Sequence, residues 1–204
     1  HEVRNPLTVT KGFLQLLREK YKDTEDKEYF DLALSELRNA ESIISDYLTY
    51  AKPSMEVRAP MNLYEELENA MKIISSYAQL HNVNIKLTGE SADYQGDKEK
   101  IRQLFINVLK NCVEAMPNGG VVTVSLQKTK FDILITVKDT GVGMTEAQLL
   151  RLGEPFFSTK ENGTGLGMMV AFSVIKSMGG RYEVQSKVNE GTSFYIYIPR
   201  RKNE

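Results

Sequence analysis

Two glycine-rich stretches, Asp139-Thr-Gly-Val-Gly-Met144 and Gly163-Thr-Gly-Leu-Gly-Met168, fix the layout of the second half of this chain. Glycine loses too much freedom to sit well inside a helix or strand, so both stretches read as loops. The first follows an alternating run that reads as a strand, and Asp139 stands at its end, where a carboxylate can point into a cleft. The second runs straight into a helical pattern, where free N–H groups and the positive end of the helix dipole suit phosphate oxygens. No Gly-Lys-Ser/Thr follows, and the spacing does not suit a dinucleotide fold. Taken alone, the first is a turn after a strand and the second a loop before a helix.

The first 51 residues have a different character. Val3, Leu7, Thr10, Leu14, Leu17 and Tyr21 recur at spacings of four and three, as do Phe30, Ala33, Leu37, Ala40, Ile44, Tyr47 and Ala51. Such spacing marks two helices with an apolar seam, joined by the polar stretch at 22–27. A two-helix hairpin cannot bury both faces alone. Two copies make a four-helix bundle, so residues 1–51 predict a homodimer; packing of the hairpin on its own chain is the alternative. Prolines in 51–60 mark a linker, which gives domains at 1–51 and 61–204 with 52–60 between them.

Beyond the linker, Asn62 can cap a helix running to about Leu80. Val83–Leu87 alternates like a strand. Asp97 can cap a second helix with Ile101, Leu104, Phe105, Val108 and Leu109 on one face. Residues 119–128 and 131–138 read as a hairpin, as do 181–186 and 192–198 around Asn189-Glu-Gly191. A third helix is expected from near Gly165 to Met178. Helices and antiparallel strands in this order predict an α+β sandwich with the helices on one face.

Composition adds exclusions. At 41% hydrophobic and 26% charged residues the chain is of ordinary globular type. A net charge of −1 gives no case for nucleic acid. The one cysteine, Cys112, rules out an internal disulfide and a cysteine-built zinc site. No run of about 18 apolar residues exists to span a membrane. A start at His1 without Met reads as a fragment of a longer protein; the expectation is a cytoplasmic piece whose parent can be membrane-anchored.

Four groups of side chains are candidates for chemistry. Asp139 can accept a hydrogen bond from an exocyclic amine, with Gly141 and Gly143 letting backbone approach a flat ring. Asn107 and Asn111 lie at i, i+4 on one helix face; two carboxamides there can orient a hydrated magnesium ion, and Lys110 can reach a phosphate. Residues 145–162 are long enough for a lid, with Phe156 or Phe157 in Glu154-Pro-Phe-Phe-Ser-Thr-Lys160 as its anchor. His1, Asn5 and Thr8 share the solvated face of the first helix. A neutral imidazole is a nucleophile near physiological pH, adjacent Glu2 can take its other proton, and Pro6 should bend the helix there.

These pieces, in this order, resemble the catalytic core of bacterial sensor histidine kinases over essentially the whole chain. His1-Glu-Val-Arg-Asn-Pro-Leu7 is similar to the family's H box and Asn107-Val-Leu-Lys-Asn111 to its N box. The two glycine stretches are similar to its glycine boxes, and Glu154–Lys160 to the phenylalanine box between them. The Asn-Cys-Val-Glu-Ala-Met-Pro and Asn-Gly-Thr-Gly-Leu-Gly-Met runs resemble most the sporulation kinases of Bacillus-type bacteria. The resemblance implies an all-α helical hairpin that dimerises into a four-helix bundle. An ATP-binding α+β sandwich of the type shared by gyrase, a heat-shock chaperone, histidine kinases and MutL follows it. It implies His1 as phospho-acceptor, Glu2 as base or orienting carboxylate, and Asn5 where members use Thr or Asn to hydrolyse a partner's phospho-aspartate. It further implies Asn111 with Asn107 on Mg2+, and Asp139 on adenine. Gly141, Gly143, Met144, Phe156, Gly163, Thr164, Gly165, Leu166 and Gly167 would shape the ATP pocket, and Lys110 and Lys160 would contact phosphate. The implied partners are a second copy, a response-regulator receiver domain, and a protein inhibitor on the bundle. Glu114-Ala115 departs from the Lys-Tyr of many members, and apolar packing is expected in its place. Two rivals stay open: an ATPase of the gyrase or chaperone kind, which usually has Glu where this chain has Asn107, and a degenerate module that docks a regulator without catalysis.

Overall fold

The computed structural model describes residues 4–22, 24–51, 58–160 and 163–200. The chain divides into two compact units, His1–Lys52 with Ser158–Thr164, and Pro53–Phe157 with Gly165–Glu204.

The first unit is built on α1 (Arg4–Lys20) and α2 (Lys27–Ala51). The expected seam is there: Leu7, Leu14, Tyr21, Phe30, Ala33, Leu37, Ala40 and Ile44 are half-buried. Tyr21 stacks on Phe30 with ring centroids 5.8 Å apart. Ion pairs of Lys11 with Glu41 at 2.7 Å and Arg18 with Asp31 at 2.5 Å tie the helices together. Thr10 and Leu17 are exposed. Val3 lies outside the described residues, as do the side chains of Tyr47 and Ala51. Leu34, which the seam did not include, is buried. The periodicity also missed a second stripe: Val9, Phe13, Leu16 and Leu32 are 58–68% exposed. One hairpin therefore leaves a large apolar surface in water, at roughly 25 cal/mol per Å² of apolar area.

The second unit holds the sandwich. Asn62 caps α3 (Leu63–Leu80), its side-chain oxygen accepting from the Tyr64 and Glu65 N–H groups. Asp97 does the same for Glu99 and Lys100 at the start of α4 (Lys98–Glu114). Strands β2 (Val83–Gly89), β4 (Gly120–Lys128), β5 (Asp132–Asp139), β6 (Arg181–Lys187) and β7 (Gly191–Pro199) form one sheet in the order β2-β4-β5-β7-β6. Alternate residues face the helices: Val122, Val124 and Leu126 on β4, Ile133, Ile135 and Val137 on β5, and Phe194, Ile196 and Ile198 on β7 are 0–1% exposed. They pack against Leu63 and Leu67 of α3, Ile101, Leu104, Phe105, Val108 and Leu109 of α4, and Ala171 and Ile175 of α6 (Gly167–Ser177). The Glu66–Arg102 pair at 3.1 Å links α3 to α4.

Three features differ from the sequence reading. β2 runs parallel to β4, whereas antiparallel strands were expected; a parallel neighbour needs a long crossover, and α4 supplies it. A two-stranded ribbon, β1 (Ala59–Asn62) with β3 (Asp93–Gly96), occupies the end of the stretch read as linker. Four-residue strands carry too few alternations to be seen by period. A short helix, α5 (Glu146–Leu150), with a Thr145/Gln148 capping box, begins the expected lid. Among the described residues no helix is long and apolar enough to cross a membrane.

Phe105, buried completely on α4, gives a direct measure of this core. Phe105→Ala is expected to lower the unfolding free energy by about 3–5 kcal/mol, read from urea unfolding. Asn62→Ala, which removes only the α3 cap, should cost about 1 kcal/mol.

Candidate functional site

Asp139 closes β5 and is 1% exposed. Its Oδ1 accepts two backbone hydrogen bonds, from Gly141 N–H at 2.8 Å and from Thr192 N–H at 3.1 Å. The loop beyond it is held from both sides. Val142 N–H donates to the Ala115 carbonyl at the end of α4, at 2.9 Å. On the other side Asn189 N–H donates to the Val142 carbonyl at 2.7 Å, and Met144 N–H to Ser186 Oγ at 2.9 Å. The approach is too close for side chains. A Cβ on Gly141 would stand 2.5 Å from the Ala115 oxygen. One on Gly143, at φ +65°, would stand 2.0 Å from the Lys187 oxygen. Both glycines are thus required by space, and Gly143 also by its left-handed backbone. A buried carboxylate with one oxygen fixed in this way keeps further acceptor capacity, and its position suits a ligand N–H.

On α4, Asn107, Lys110, Asn111 and Glu114 follow at i, i+3, i+4 and i+7, so they share one face. Asn107 and Asn111 are half-buried and Lys110 is exposed. The Asn107 Nδ2 is buried without a hydrogen-bond partner. A Cβ on Gly167, at the start of α6, would lie 3.8 Å from the Asn107 amide, so the second glycine stretch ends over this asparagine. The expected apolar packing at Glu114-Ala115 is not what the structure has. Glu114 is polar and paired: the Tyr77 hydroxyl of α3 donates to its Oε1 at 3.2 Å, and Lys110 Nζ is 3.8 Å away. Burial, then the Glu114 charge and hydrogen bond, push the Tyr77 phenol up to about 12. This bond is therefore intact below the ordinary tyrosine range and lost only as pH rises through about 12. The Ala115 carbonyl holds the Asp139 loop through Val142 N–H.

In the segment between the glycine stretches Phe157 is half-buried and Phe156 is not. The Arg151 guanidinium lies 4.0 Å from the Phe157 ring centroid and pairs with Glu154 at 2.8 Å. Phe156 is 68% exposed and left-handed, with φ +62°. A Cβ on Gly165 (φ +68°) would meet the Phe156 and Phe157 backbone at 2.5–2.7 Å, so this glycine backs onto the base of the loop. Leu166 is buried and precedes α6, which begins with no side-chain cap. Within 158–164, Ser158 Oγ accepts from Lys160 N–H at 3.1 Å, and Gly163 N–H donates to the Lys160 carbonyl at 3.2 Å. Lys160 and Thr164 are half-buried. Ser158, Lys160, Gly163 and Thr164 belong to the compact unit of the hairpin.

In α1, Asn5 and Thr8 are exposed, as their spacing requires. His1 and Glu2 lie outside the described residues. Two residues at the Asp139 loop escaped the sequence reading, Thr192 and Ser186, face to face in the β6–β7 register. Gly191 was read only as a turn residue and Thr192 as the start of a hairpin strand; their proximity to Asp139 follows from β5–β7 pairing, which no local pattern encodes.

Removing the Asp139 carboxylate tests the clamp. In Asp139→Ala the Gly141 and Thr192 amides lose their acceptor, and their hydrogen exchange should accelerate about tenfold or more, the worth of one buried hydrogen bond of about 1.4 kcal/mol or more.

The family model of histidine kinase-, DNA gyrase B- and HSP90-like ATPases matches residues 96–202. That of the His Kinase A (phospho-acceptor) domain matches residues 1–56. Sporulation kinase C of Bacillus subtilis (strain 168) is 39% identical over 202 residues, 98% of this chain and 47% of that protein. Sporulation kinase A of the same organism is 41% identical over 204 residues, 98% of this chain and 33% of that protein. The chain thus spans less than half the length of these relatives. Among solved structures, full-length ShkA in complex with AMPPNP superposes with a TM-score of 0.81 at 22% identity, over 98% of this chain and 45% of that one. Histidine kinase ThkA in complex with response regulator protein TrrA gives 0.74 at 24%, over 98% and 59%. Both share the fold. By the match over 96–202, which is more than half of its length, the chain belongs to the histidine kinase-, DNA gyrase B- and HSP90-like ATPase family, and with its His Kinase A domain it belongs among the histidine kinases.

Proposed function

We propose that this chain is the ATP-dependent core of a sensor histidine kinase that phosphorylates His1 and passes the phosphoryl group to an aspartate of a response regulator, in a sporulation phosphorelay. The observation that carries it is Asp139: a buried carboxylate gripped by two backbone N–H groups beside two glycines that admit no Cβ. A carboxylate in that setting is matched by the exocyclic amine of adenine. The sporulation assignment follows the relatives' names; the regulator partner and the ATP-type ligand follow the ThkA and ShkA complexes.

Adenine enters against Asp139, with Gly141, Gly143 and Met144 beneath it. The phosphates extend along the Asn face of α4 toward the start of α6, near Lys110, Gly165, Leu166 and Gly167. The residues present fit Mg2+: two neutral carboxamides share one face, and the partnerless Asn107 Nδ2 is suited to a phosphate or water oxygen. Among the described residues no acidic or histidine cluster could hold a metal by itself, so Asn111 and Asn107 would hold the ion together with phosphate and water oxygens. Bound there, Mg2+ screens the negative charge of the phosphates. His1 attacks the γ-phosphorus through a neutral ring nitrogen, Glu2 holds or takes the proton on the other, and ADP leaves with the bridging oxygen. Asn5, one turn along, positions water for hydrolysis of the regulator's phospho-aspartate. Asn107 stands where hydrolysing relatives carry a base, which disfavours a plain ATPase.

The phosphotransfer domain is assigned to 1–51, the linker to 52–60 and the catalytic domain to 61–204, with β1 drawing the last boundary back to Ala59. The exposed stripe of Val9, Phe13, Leu16 and Leu32 is the face for a second hairpin. A Phe13→Glu, Leu16→Glu chain should sediment as a monomer where the parent is a dimer; a double variant that stays dimeric refutes this face.

Incubation with γ-labelled ATP and magnesium tests the reaction. The intact chain should acquire acid-labile, base-stable phosphate, and His1→Gln should bind ATP but acquire none. Release of free phosphate without label points to the ATPase alternative, and binding without either to a docking module.

A further inference from the structure

Ser186 of β6 faces Thr192 of β7, and its hydroxyl has three neighbours: Met144 N–H at 2.9 Å, the Gly191 carbonyl at 3.1 Å and Thr192 Oγ1 at 2.9 Å. A serine hydroxyl owns one proton and two lone pairs. The Met144 N–H can only donate to it. The Gly191 carbonyl can only accept from it, which commits the Ser186 proton. The third bond is then decided by elimination: Thr192 donates and Ser186 accepts. Thr192 is left with an oxygen that can only accept further bonds, and it is 4% exposed. The same residue's N–H grips Asp139 Oδ1 at 3.1 Å. A buried carboxylate and a hydroxyl whose proton is already committed thus belong to two hydrogen-bonded residues.

We propose that Ser186 is a positioning residue for base selection: by committing the Thr192 proton, it makes this end of the nucleotide site all acceptor, so that a purine with a 6-amino group is taken and one with a 6-carbonyl is refused. The proposal rests on the reading of Asp139 as the base-binding carboxylate. A carbonyl oxygen brought against two acceptors finds no proton and leaves buried polar groups unmatched, the arrangement that discriminates most strongly between isosteric ligands. Ser186 need not touch the base to have this effect.

The test is the ratio of dissociation constants for inosine triphosphate and ATP, measured on the full chain by calorimetry with magnesium present. The parent chain should favour ATP. In Ser186→Ala the Thr192 hydroxyl is free to turn its proton to the 6-carbonyl, and the ratio should fall roughly three- to tenfold, the worth of one hydrogen bond; Ser186→Thr should restore it. Thr192→Val, nearly isosteric, offers a second handle that leaves the Ser186 bonds to Met144 and Gly191 in place. It should weaken ATP and leave inosine triphosphate unchanged. Loss of affinity for both nucleotides by the same factor in Ser186→Ala would mean that Ser186 only holds the loop, and would overturn the proposal. So would Thr192→Val weakening inosine triphosphate more than ATP. Failure of the parent chain to bind either nucleotide removes the Asp139 reading itself, and this proposal with it.

Discussion

A carboxylate taken out of water costs several kcal/mol after relaxation unless its oxygens are matched. Asp139 is matched by two N–H groups that lie 51 residues apart in the chain, at Gly141 and Thr192. The first comes from the turn that follows the strand, and the second from the strand beside it. Neither is available unless β5 and β7 are in register, with Val137 opposite Phe194 and Lys138 opposite Ser193. The glycines answer to the same demand. At Gly141, Gly143 and Gly191 a side chain would strike backbone atoms of the groups that close around Asp139. The polar chemistry of the site and the close packing of its backbone are therefore one problem.

The helical layer is tied to the same point. Ala115 ends α4 with a carbonyl turned to Val142 N–H, so the helix that carries Asn107 and Asn111 is located relative to Asp139 by a hydrogen bond and not only by its apolar face. That face is nonetheless what holds α4 down: Ile101, Leu104, Phe105, Val108 and Leu109 are buried among residues of β4, β5 and β7. Asn107, Asn111 and the Ala115 carbonyl are thus set by one helix, while the left-handed Phe156, Gly153 and Gly165 fall in the segment that leads to α6.

How much of this could be read beforehand depended on whether the cause was local. α3 and α4 were legible down to their caps, because Asn62 and Asp97 act on N–H groups two and three residues away. The β4–β5 and β6–β7 hairpins were legible because alternation and turn residues are local too. The parallel pairing of β2 with β4 was not, since nothing within Val83–Gly89 says which neighbour it takes. Thr192 and Ser186 were missed for the same reason. Glu114 was misjudged because its partner, Tyr77, lies 37 residues earlier on another helix. The hairpin gave up one of its apolar stripes readily and concealed the other, because Val9, Phe13 and Leu16 follow the same spacing one register over. Asp139 and the asparagine pair were picked out by type and spacing; their burial and partners came only with the fold.

The N–H that completes the grip on Asp139 belongs to a residue in the last strand, and that has a bearing on how the molecule comes to be made. Synthesis runs from the N-terminus, so α1 and α2 precede the sheet platform and α4, and residues 186–192 come later still. Until then Asp139 has one of its two backbone donors, the loop at 141–144 has lost its contacts to Ser186 and Asn189, and β5 lacks its β7 neighbour. Helical hairpins form fast and locally, whereas distant strand pairing is slow. A nascent chain can thus assemble its helical segment well before the grip on Asp139 is complete, so the hairpin and the Asp139 loop mature in separate steps.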